Sequence, residues 1–315
     1  MRRLLVFFIA LTLFGKAQSQ IVASPDTTIC VGGTATLIIY SAPSYGTSSY
    51  TFETMPYSPE VYGGTKVPKS GGGVAGPGLE DDTYSKPLDI GFAFCFLGVQ
   101  YTQCYIGSNG WLSFGGPGAL ATTFTSEAIP STDPDVPKNC IMGPWQDWYP
   151  TLCTPVGSCI MYQTIGTAPN RKFVASFDNV PMFSCTGLEG KFQIVLNETT
   201  NIIENHITNK PNCMGWAGGT ATQGVHSLDG LTAFTAPGRN STPWTAANES
   251  TRFVPNGIVW YDLTGAVVGY GDTLYVNPTT TTTYTAALTD CDGVDFEEEI
   301  VVTVEDPDPS FDYDL

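Results

Sequence analysis

The feature that most constrains the fold of this 315-residue chain is the regular spacing of short β-branched and aromatic runs between Gly, Pro and Asn. Residues 34–40, 91–96, 172–177 and 191–196 are examples of these runs. Such runs are typical of strands bounded by turns, and stretches with the longer period of an amphipathic helix are nearly absent. The chain also carries 34 Gly and 23 Pro beside 12% aromatic residues. The pattern therefore predicts an all-β protein built from β-sandwiches.

Residues 1–19 have the pattern of a secretory signal peptide. Two arginines precede an apolar run over residues 4–14, and Ala17 and Ser19 place small residues before the predicted cleavage site. About 11 apolar residues are too few to cross a bilayer, which needs about 20, so we expect export rather than anchoring. We identify no other run of transmembrane length. The expected location is extracellular, secreted or at the cell surface.

The charge balance narrows the choice of partners. The 30 acidic and 13 basic side chains give a formal net charge of −17. Nucleic acids and anionic membrane surfaces attract basic patches, so this balance argues against both as partners. Charged residues make up 14% and hydrophobic residues 42% of the chain, which is sufficient for a sizeable core. The partners we expect are an extracellular glycan or a protein surface.

Strand patterns at the two ends predict one small sandwich that is interrupted by a larger one. They occur at 34–40 near one end and at 258–261, 282–288 and 300–304 near the other, and two strands alone are not stable. Together the ends supply about six strands, which is typical of an immunoglobulin-like domain with Trp260 on a central strand. The predicted organisation is a signal peptide (1–19), a first immunoglobulin-like part (20–45), an inserted β-sandwich (46–255), a second immunoglobulin-like part (256–305) and an acidic tail (306–315).

Nine cysteines allow at most four disulfides and leave one thiol. Export favours disulfides, whereas zinc is disfavoured because there is no C-x-x-C and the two histidines lack ligand spacing. The candidate pairs are Cys30–Cys291, Cys153–Cys159, Cys95–Cys104 and Cys185–Cys213, with Cys140 left over. A Cys30–Cys291 bridge would link the two parts of the immunoglobulin-like domain at one end of its sandwich. The alternative is two separate domains with Cys30 paired elsewhere.

Several local motifs resemble the nidogen-type extracellular module. They are the Asn-Gly hairpin in 109–115, the apolar run into Trp-Gln-Asp at 141–147, the strand 172–177, and the Phe-Gln-Ile-Val-Leu strand 192–196 followed by Ile203 and Glu204. Over roughly residues 21–305 the chain also resembles Bacteroidota secreted surface proteins associated with gliding motility and type IX secretion. That resemblance implies a nidogen-like β module beside immunoglobulin- or PKD-like repeats, with tandem β domains in a longer product. It implies no settled activity, and we identify no C-terminal sorting domain of that group.

A dense group of aromatic side chains is the first candidate ligand site. The candidates are Trp145, Asp147, Trp148 and Tyr149, with Trp216 and Trp244 behind them. Sugar-binding surfaces use flat aromatic faces beside polar groups, so Trp148 and Tyr149 are expected to be exposed. Trp145 and Asp147 have a structural alternative, a core tryptophan and a carboxylate that caps backbone amides at a turn. The adhesion interpretation requires only a large flat face.

Motifs for catalysis are sparse. Neither His206 nor His226 accompanies a G-x-S-x-G nucleophile motif, and possible carboxylate pairs are explained as well by an acidic surface. No cofactor is expected, although calcium is possible. The candidate calcium ligands are Asp290, Asp292 and Asp295, which do not fit the EF-hand loop. The predicted function is a non-catalytic secreted adhesion or recognition module. The alternatives are a carbohydrate-binding module of a glycan-degrading system and, remotely, a secreted hydrolase.

Overall fold

A computed structural model of the protein describes residues 21–41, 47–70, 78–115, 123–291 and 294–306. Within these ranges the chain is nearly all β, which confirms the predicted fold class. None of the helical segments in the same ranges is long and apolar enough to cross a membrane. The predicted signal peptide lies outside the described residues, and so does most of the predicted acidic tail.

The described residues form a series of short strands, with two brief 3-10 turns between them. In chain order the strands are β1 (Val22–Ala23), β2 (Thr27–Cys30), β3 (Ala35–Ser41), β4 (Ser49–Met55), β5 (Thr65–Lys66), β6 (Leu88–Phe96), β7 (Val99–Gly107), β8 (Trp111–Ser113), β9 (Cys140–Trp145), β10 (Ile160–Ile165), β11 (Lys172–Pro181), β12 (Glu189–Asn197), β13 (Ile203–Lys210), β14 (Thr220–His226), β15 (Ala233–Thr235), β16 (Thr242–Pro243), β17 (Ala246–Asn256), β18 (Val259–Tyr261), β19 (Val267–Tyr270), β20 (Thr273–Val276), β21 (Thr282–Thr289) and β22 (Asp295–Glu305). The 3-10 turns are Pro150–Leu152 and Ala217–Gly219.

The central strands form two sheets that pack face to face. One sheet has the order β4-β17-β13-β12-β11-β10-β5, and the other has the order β15-β14-β9-β8-β7-β6 with β16 beside β14. Phe177 and Phe192 of the first sheet stack at 4.4 Å between ring centroids, and Phe94 and Phe114 stack at 5.5 Å on the second. All four belong to one buried cluster. We call this unit the central sandwich, since its core lies between two sheets.

Strands from the two ends of the described chain form a second unit, the terminal sandwich. Its sheets have the orders β1-β3-β20 and β19-β18-β21-β22-β2. Strand β2 runs parallel to β22, and β3 runs antiparallel to β20. Trp260 on β18 is fully buried in the shared core, and its indole N–H donates to the Gly271 carbonyl at 2.8 Å. Strands from the two ends of the described chain therefore complete each other's sheets.

The cysteine pairing differs from the prediction at two of four places. The bonds are Cys95–Cys291, Cys153–Cys159 and Cys185–Cys213, and the free thiols are Cys30, Cys104 and Cys140. The two short-range pairs are confirmed, as is the spare thiol of Cys140, and the predicted Cys30–Cys291 bond is wrong. Cys30 lies opposite Glu305, whereas Cys291 precedes Asp295 at the other end of β22. At about 3.3 Å per residue the two thiols are roughly 30 Å apart along that strand.

The predicted Cys95–Cys104 bond is wrong because the two residues lie at different distances from the β6–β7 turn. Cys95 lies opposite Gln100, and Cys104 lies opposite Leu88. Cys95 instead reaches Cys291, with their Cα atoms 5.8 Å apart. This bond joins β6 of the central sandwich to the connection between β21 and β22 of the terminal sandwich.

The predicted Asn109-Gly110 hairpin turn joins β7 to β8 and packs against the segment at the end of β9. Gly110 has a φ of +86°, and a Cβ atom there would lie 2.5 Å from the Pro144 carbonyl oxygen, so this position requires glycine. The Gly143 N–H donates to the Gly110 carbonyl at 3.0 Å, and the Gln146 N–H donates to the Asn109 carbonyl at 3.2 Å. The hairpin tip and residues 143–148 therefore form one rigid corner.

Candidate functional site

Two of the predicted ligand-binding aromatic residues are inside the protein. Trp148 has 0% exposure, so the expectation that it is exposed is wrong. Its indole N–H donates to the Pro144 carbonyl at 2.9 Å, and its ring packs against Phe192 at 5.4 Å. Gly190 on β12 makes room for the ring, because a Cβ atom there would lie 2.2 Å from it. Trp145 is also fully buried, in a separate cluster with Met142 and Val136, which agrees with its structural alternative.

Tyr149 and Trp244 are half-buried and held by contacts within the protein. Tyr149 meets Phe183 edge to face at 5.3 Å. Trp244 contacts the Lys210 ammonium at 4.6 Å and the Arg239 guanidinium at 4.3 Å from its ring centroid. Its indole N–H also donates to a backbone carbonyl. Burial lowers the pKa of Lys210 to about 7, with the charge of Arg239 acting in the same direction. These contacts explain the conformation of both rings without a ligand.

The carboxylate of Asp147 lies beside those of Asp81 and Asp82. One oxygen of Asp147 and one each of Asp81 and Asp82 all lie within 4.8 Å of one another. The Asn109 side chain connects Asp82 to the segment that carries Asp147. Its Nδ2 donates to Asp82 Oδ1 at 2.8 Å, and its Oδ1 accepts the backbone N–H of Trp148 at 3.1 Å. The Asn-Gly hairpin tip thus positions Asp82 against the turn that carries Asp147. We call the three aspartates the carboxylate cluster.

The carboxylate cluster is a concentration of negative charge. Burial, reinforced by the charge of Asp82, raises the pKa of Asp81 to about 6. The pKa of Asp147 rises to about 7, again mainly through burial and against a hydrogen bond from Trp216. Burial also raises the pKa of Asp82, opposed by its hydrogen bond from Asn109. Among the described residues, no Lys, Arg or His forms an ion pair with these three carboxylates.

An aromatic depression adjoins the cluster and shares Asp147 with it. Residues that line the depression include Phe124, Gln146, Asp147, Phe183, Cys213 and Trp216. The Trp216 indole N–H donates to Asp147 Oδ2 at 2.8 Å, and its ring lies 4.9 Å from Phe183 and 6.1 Å from Phe124. The side-chain amide of Gln146 is buried, and neither its oxygen nor its nitrogen has a hydrogen-bond partner. The predicted amide-capping role of Asp147 is thus replaced by a bond to an indole.

The predicted calcium ligands near the β21–β22 connection take part in local hydrogen bonds. Asp290 Oδ1 accepts the Val294 N–H at 2.9 Å, and Asp295 Oδ1 accepts the Thr289 hydroxyl at 2.7 Å. Asp292 lies outside the described residues. Calcium binding at this connection stays a prediction.

His206 forms a hydrogen-bonded series with Ser250 and Glu204 that has the residue types of a hydrolase triad. His206 Nδ1 lies 2.7 Å from Ser250 Oγ, and its Nε2 lies 3.1 Å from Glu204 Oε2. Ser250 is 1% exposed, and its hydroxyl accepts the Ser58 N–H at 3.3 Å. A catalytic serine must reach its substrate, so this series is better explained as a buried structural network.

Sequence reasoning identified Asp147 and Trp216 but missed Asp81 and Asp82. Two adjacent aspartates in a turn give no spacing signal, and Asp147 lies far along the chain. The motifs that could have pointed to them are the Asn-Gly turn and the Trp-Gln-Asp segment, because Asn109 connects the two.

Comparison with known families places the chain beside an extracellular-type family. The family model described as NIDO related matches residues 47–270. The match contains the whole central sandwich, the carboxylate cluster and the aromatic depression, and it extends into β18 and β19. No curated protein and no solved structure matches the chain.

Proposed function

Because the chain belongs to the NIDO-related family, we propose that it is a non-catalytic, secreted module for adhesion or recognition at a cell surface. Its all-β fold and three disulfides fit an extracellular protein. The proposal includes export by the predicted signal peptide at 1–19. It also includes a role among the Bacteroidota surface proteins associated with type IX secretion and gliding, with further β domains in tandem. These finer points rest on the motif resemblance.

The observation that carries the proposal is the aromatic depression around Trp216, whose ring is held by a hydrogen bond and by contacts with Phe183 and Phe124. The Trp216 indole donates a hydrogen bond to Asp147, and the backbone N–H of Trp216 donates to the Cys213 carbonyl at 3.1 Å. The Cys185–Cys213 bond joins the two segments that carry Phe183 and Trp216. A surface that is already ordered loses little conformational entropy on binding. Recognition, unlike catalysis, requires nothing further of such a surface.

A specific observation favours a glycan as the ligand. The depression combines the aromatic faces of Trp216 and Phe183 with the side-chain hydroxyl of Thr220. Binding sites commonly pair apolar walls with a few polar groups that fix the ligand's orientation. A sugar offers both an apolar ring face and hydroxyl groups. The carbohydrate-binding function is therefore the second candidate, within the same site.

The test is a binding screen of residues 20–315 against a glycan panel and immobilised extracellular proteins. Phe124 is 41% exposed and contacts Trp216, so Phe124→Ala should weaken binding at least about ten-fold with little effect on folding. Tyr275, which is 70% exposed on the terminal sandwich, provides the matched control Tyr275→Ala, and its binding should be unchanged.

Each result of the screen bears on a different part of the proposal. Binding to one sugar class supports the carbohydrate candidate, and binding to protein alone supports adhesion. Equal binding by the wild type and Phe124→Ala would place the ligand elsewhere. Turnover of fluorogenic ester or glycoside substrates that persists after repeated purification would contradict a non-catalytic function.

A further inference from the structure

We propose that Asp81, Asp82 and Asp147 form a calcium-binding site on the central sandwich. Calcium binds six to eight oxygen ligands at about 2.3–2.6 Å. Two oxygens on one ion are therefore at most roughly 5 Å apart, twice that bond length. One oxygen from each of the three aspartates meets this condition, since all three lie within 4.8 Å of one another. The cluster thus has the spacing of a shared ion.

A second observation points to a ligand independently of the spacing. Asp147 is 7% exposed, and its Oδ1 is buried without a hydrogen-bond partner. Asp81 Oδ1 is buried without a partner as well. Buried polar atoms nearly always have partners, because an unsatisfied one destabilises the folded state. A cation between the aspartates would supply the missing partner for both oxygens.

The electrostatics of the surroundings favour a cation over a protein counter-ion. The nearest ion pair in sequence is Lys69–Glu80, in which the lysine contacts Glu80 at 2.7 Å. Within the described ranges, no basic side chain pairs with the three aspartates themselves. Three carboxylates in one partly buried group repel one another strongly. A divalent cation would offset most of that charge.

The donor set selects calcium among the common divalent ions. All three side chains offer oxygen, whereas structural zinc prefers sulfur and imidazole nitrogen. Magnesium requires near-octahedral geometry at about 2.0–2.1 Å and retains several waters. Calcium tolerates irregular geometry, and extracellular modules bind it with dissociation constants of about 10⁻⁴–10⁻³ M. This proposal does not depend on the identity of the recognised ligand.

Terbium luminescence tests the site directly. Terbium ions replace calcium at oxygen sites and emit when a nearby tryptophan is excited. The Trp216 indole nitrogen lies 2.8 Å from Asp147 Oδ2, so terbium added to the chelator-treated chain 20–315 should give sensitised emission. Calcium should displace it at millimolar concentration, and calcium alone should raise the melting temperature. Absence of both emission and a melting shift in the wild type would overturn the proposal.

Variants distinguish this site from other acidic positions. Asp81→Asn should weaken calcium binding at least ten-fold and abolish the calcium-dependent melting shift. Without calcium its melting temperature should equal or exceed that of the wild type, because one repelling charge is gone. Asp147→Asn should give the same loss, but Asp81 is half-buried and its substitution disturbs the fold less. The matched control Asp295→Asn should bind normally.

Two results of the variant series would overturn the proposal. One is unchanged calcium affinity in a folded Asp81→Asn protein. The other is loss of binding in Asp295→Asn with retention in Asp81→Asn, which would assign the ion to the β21–β22 connection. Neither result would bear on the recognition function, because the Phe124→Ala screen can be run with and without calcium.

Discussion

Among single residues, His226 on β14 ties a surface loop to the central sandwich through both nitrogens of its ring. Its Nδ1 donates to the Pro137 carbonyl at 2.7 Å, and its Nε2 accepts the Ser131 N–H at 3.2 Å. Both bonds require the neutral ring with its proton on Nδ1. Burial lowers the pKa of His226, and the nearby charge of Lys138 acts in the same direction.

This geometry predicts that His226 makes the protein less stable in mild acid. Its pKa is lower in the folded state than in the unfolded state, so the unfolded state takes up the proton first as the pH falls below about 6.5. The contribution of neutral His226 is therefore present at neutral pH and is lost as the pH falls through its folded pKa. We expect His226→Gln to lower stability by about 1–3 kcal/mol at pH 7.

The measurement is the difference in unfolding free energy between the wild type and His226→Gln, from denaturant unfolding between pH 5 and pH 7.5. Taking the difference removes the opposite pH dependence of the carboxylate cluster, which both proteins share. The difference should shrink as the pH falls. A constant difference across this range would contradict the assigned tautomer and its role.

At the scale of elements, the Cys95–Cys291 disulfide, which joins β6 to the β21–β22 connection, should stabilise the terminal sandwich. In the chain-entropy account, closing the 196-residue separation of Cys95 and Cys291 contributes up to about 5 kcal/mol. Cys291→Ser should therefore lower the melting temperature of the terminal strands, with Cys95→Ser giving a similar result. Cys30→Ser should have no effect, because the Cys30 thiol is exposed and free. Calorimetry of the three variants under non-reducing conditions checks this, and a destabilised Cys30→Ser protein would contradict the pairing.

The elements themselves were largely predictable, because their signals are local. Alternating side chains bounded by turn residues predicted the strands, and the Asn109-Gly110 turn was identified from its dipeptide alone. Disulfide pairing was predicted correctly only at short range. Cys30 and Cys291 lie at opposite ends of β22, and this separation cannot be known before the register of β2 on β22 is known.

The candidate site was less predictable, because its parts are assembled from distant segments. Burial of Trp148 depends on Gly190, a residue on another strand that leaves space for the indole. Proximity of Asp82 to Asp147 depends on the Asn109 side chain between them. A single sequence shows these residues but not which of them meet, and for that reason the exposure expected of Trp148 is wrong.

At the scale of the whole molecule, the chain passes from the terminal sandwich into the central one and back at neighbouring points. Ser49 at the start of β4 lies opposite Asn256 at the end of β17, and opposite residues in an antiparallel pair are about 4.5–5.5 Å apart at Cα. The core of the terminal sandwich consists of residues from the two ends of the described chain, including Leu37, Trp260 and Val302. Its sheets therefore do not need the central sandwich to be complete.

We accordingly predict that the terminal sandwich folds without the central one. Residues 21–47 can be joined to 258–306 by a short Gly/Ser linker, with Cys30→Ser and Cys291→Ser to prevent mispairing. The product has roughly 75 residues, a size at which stability is marginal, and it also lacks the bond to Cys95. We therefore expect cooperative unfolding with a midpoint below that of the full chain.

Tryptophan fluorescence provides the measurement, because Trp260 is the sole tryptophan in that shortened sequence. Burial of Trp260 against the strands from both ends should give blue-shifted emission that moves to the red on unfolding in urea. A Trp260→Phe version should keep the β-type circular dichroism spectrum and lose the emission, which separates folding from the reporter. Red-shifted emission and a disordered spectrum in the absence of denaturant would contradict the prediction. That outcome would mean that the terminal strands need the contacts and the Cys95–Cys291 bond that the central sandwich supplies, so that the two sandwiches fold as one unit.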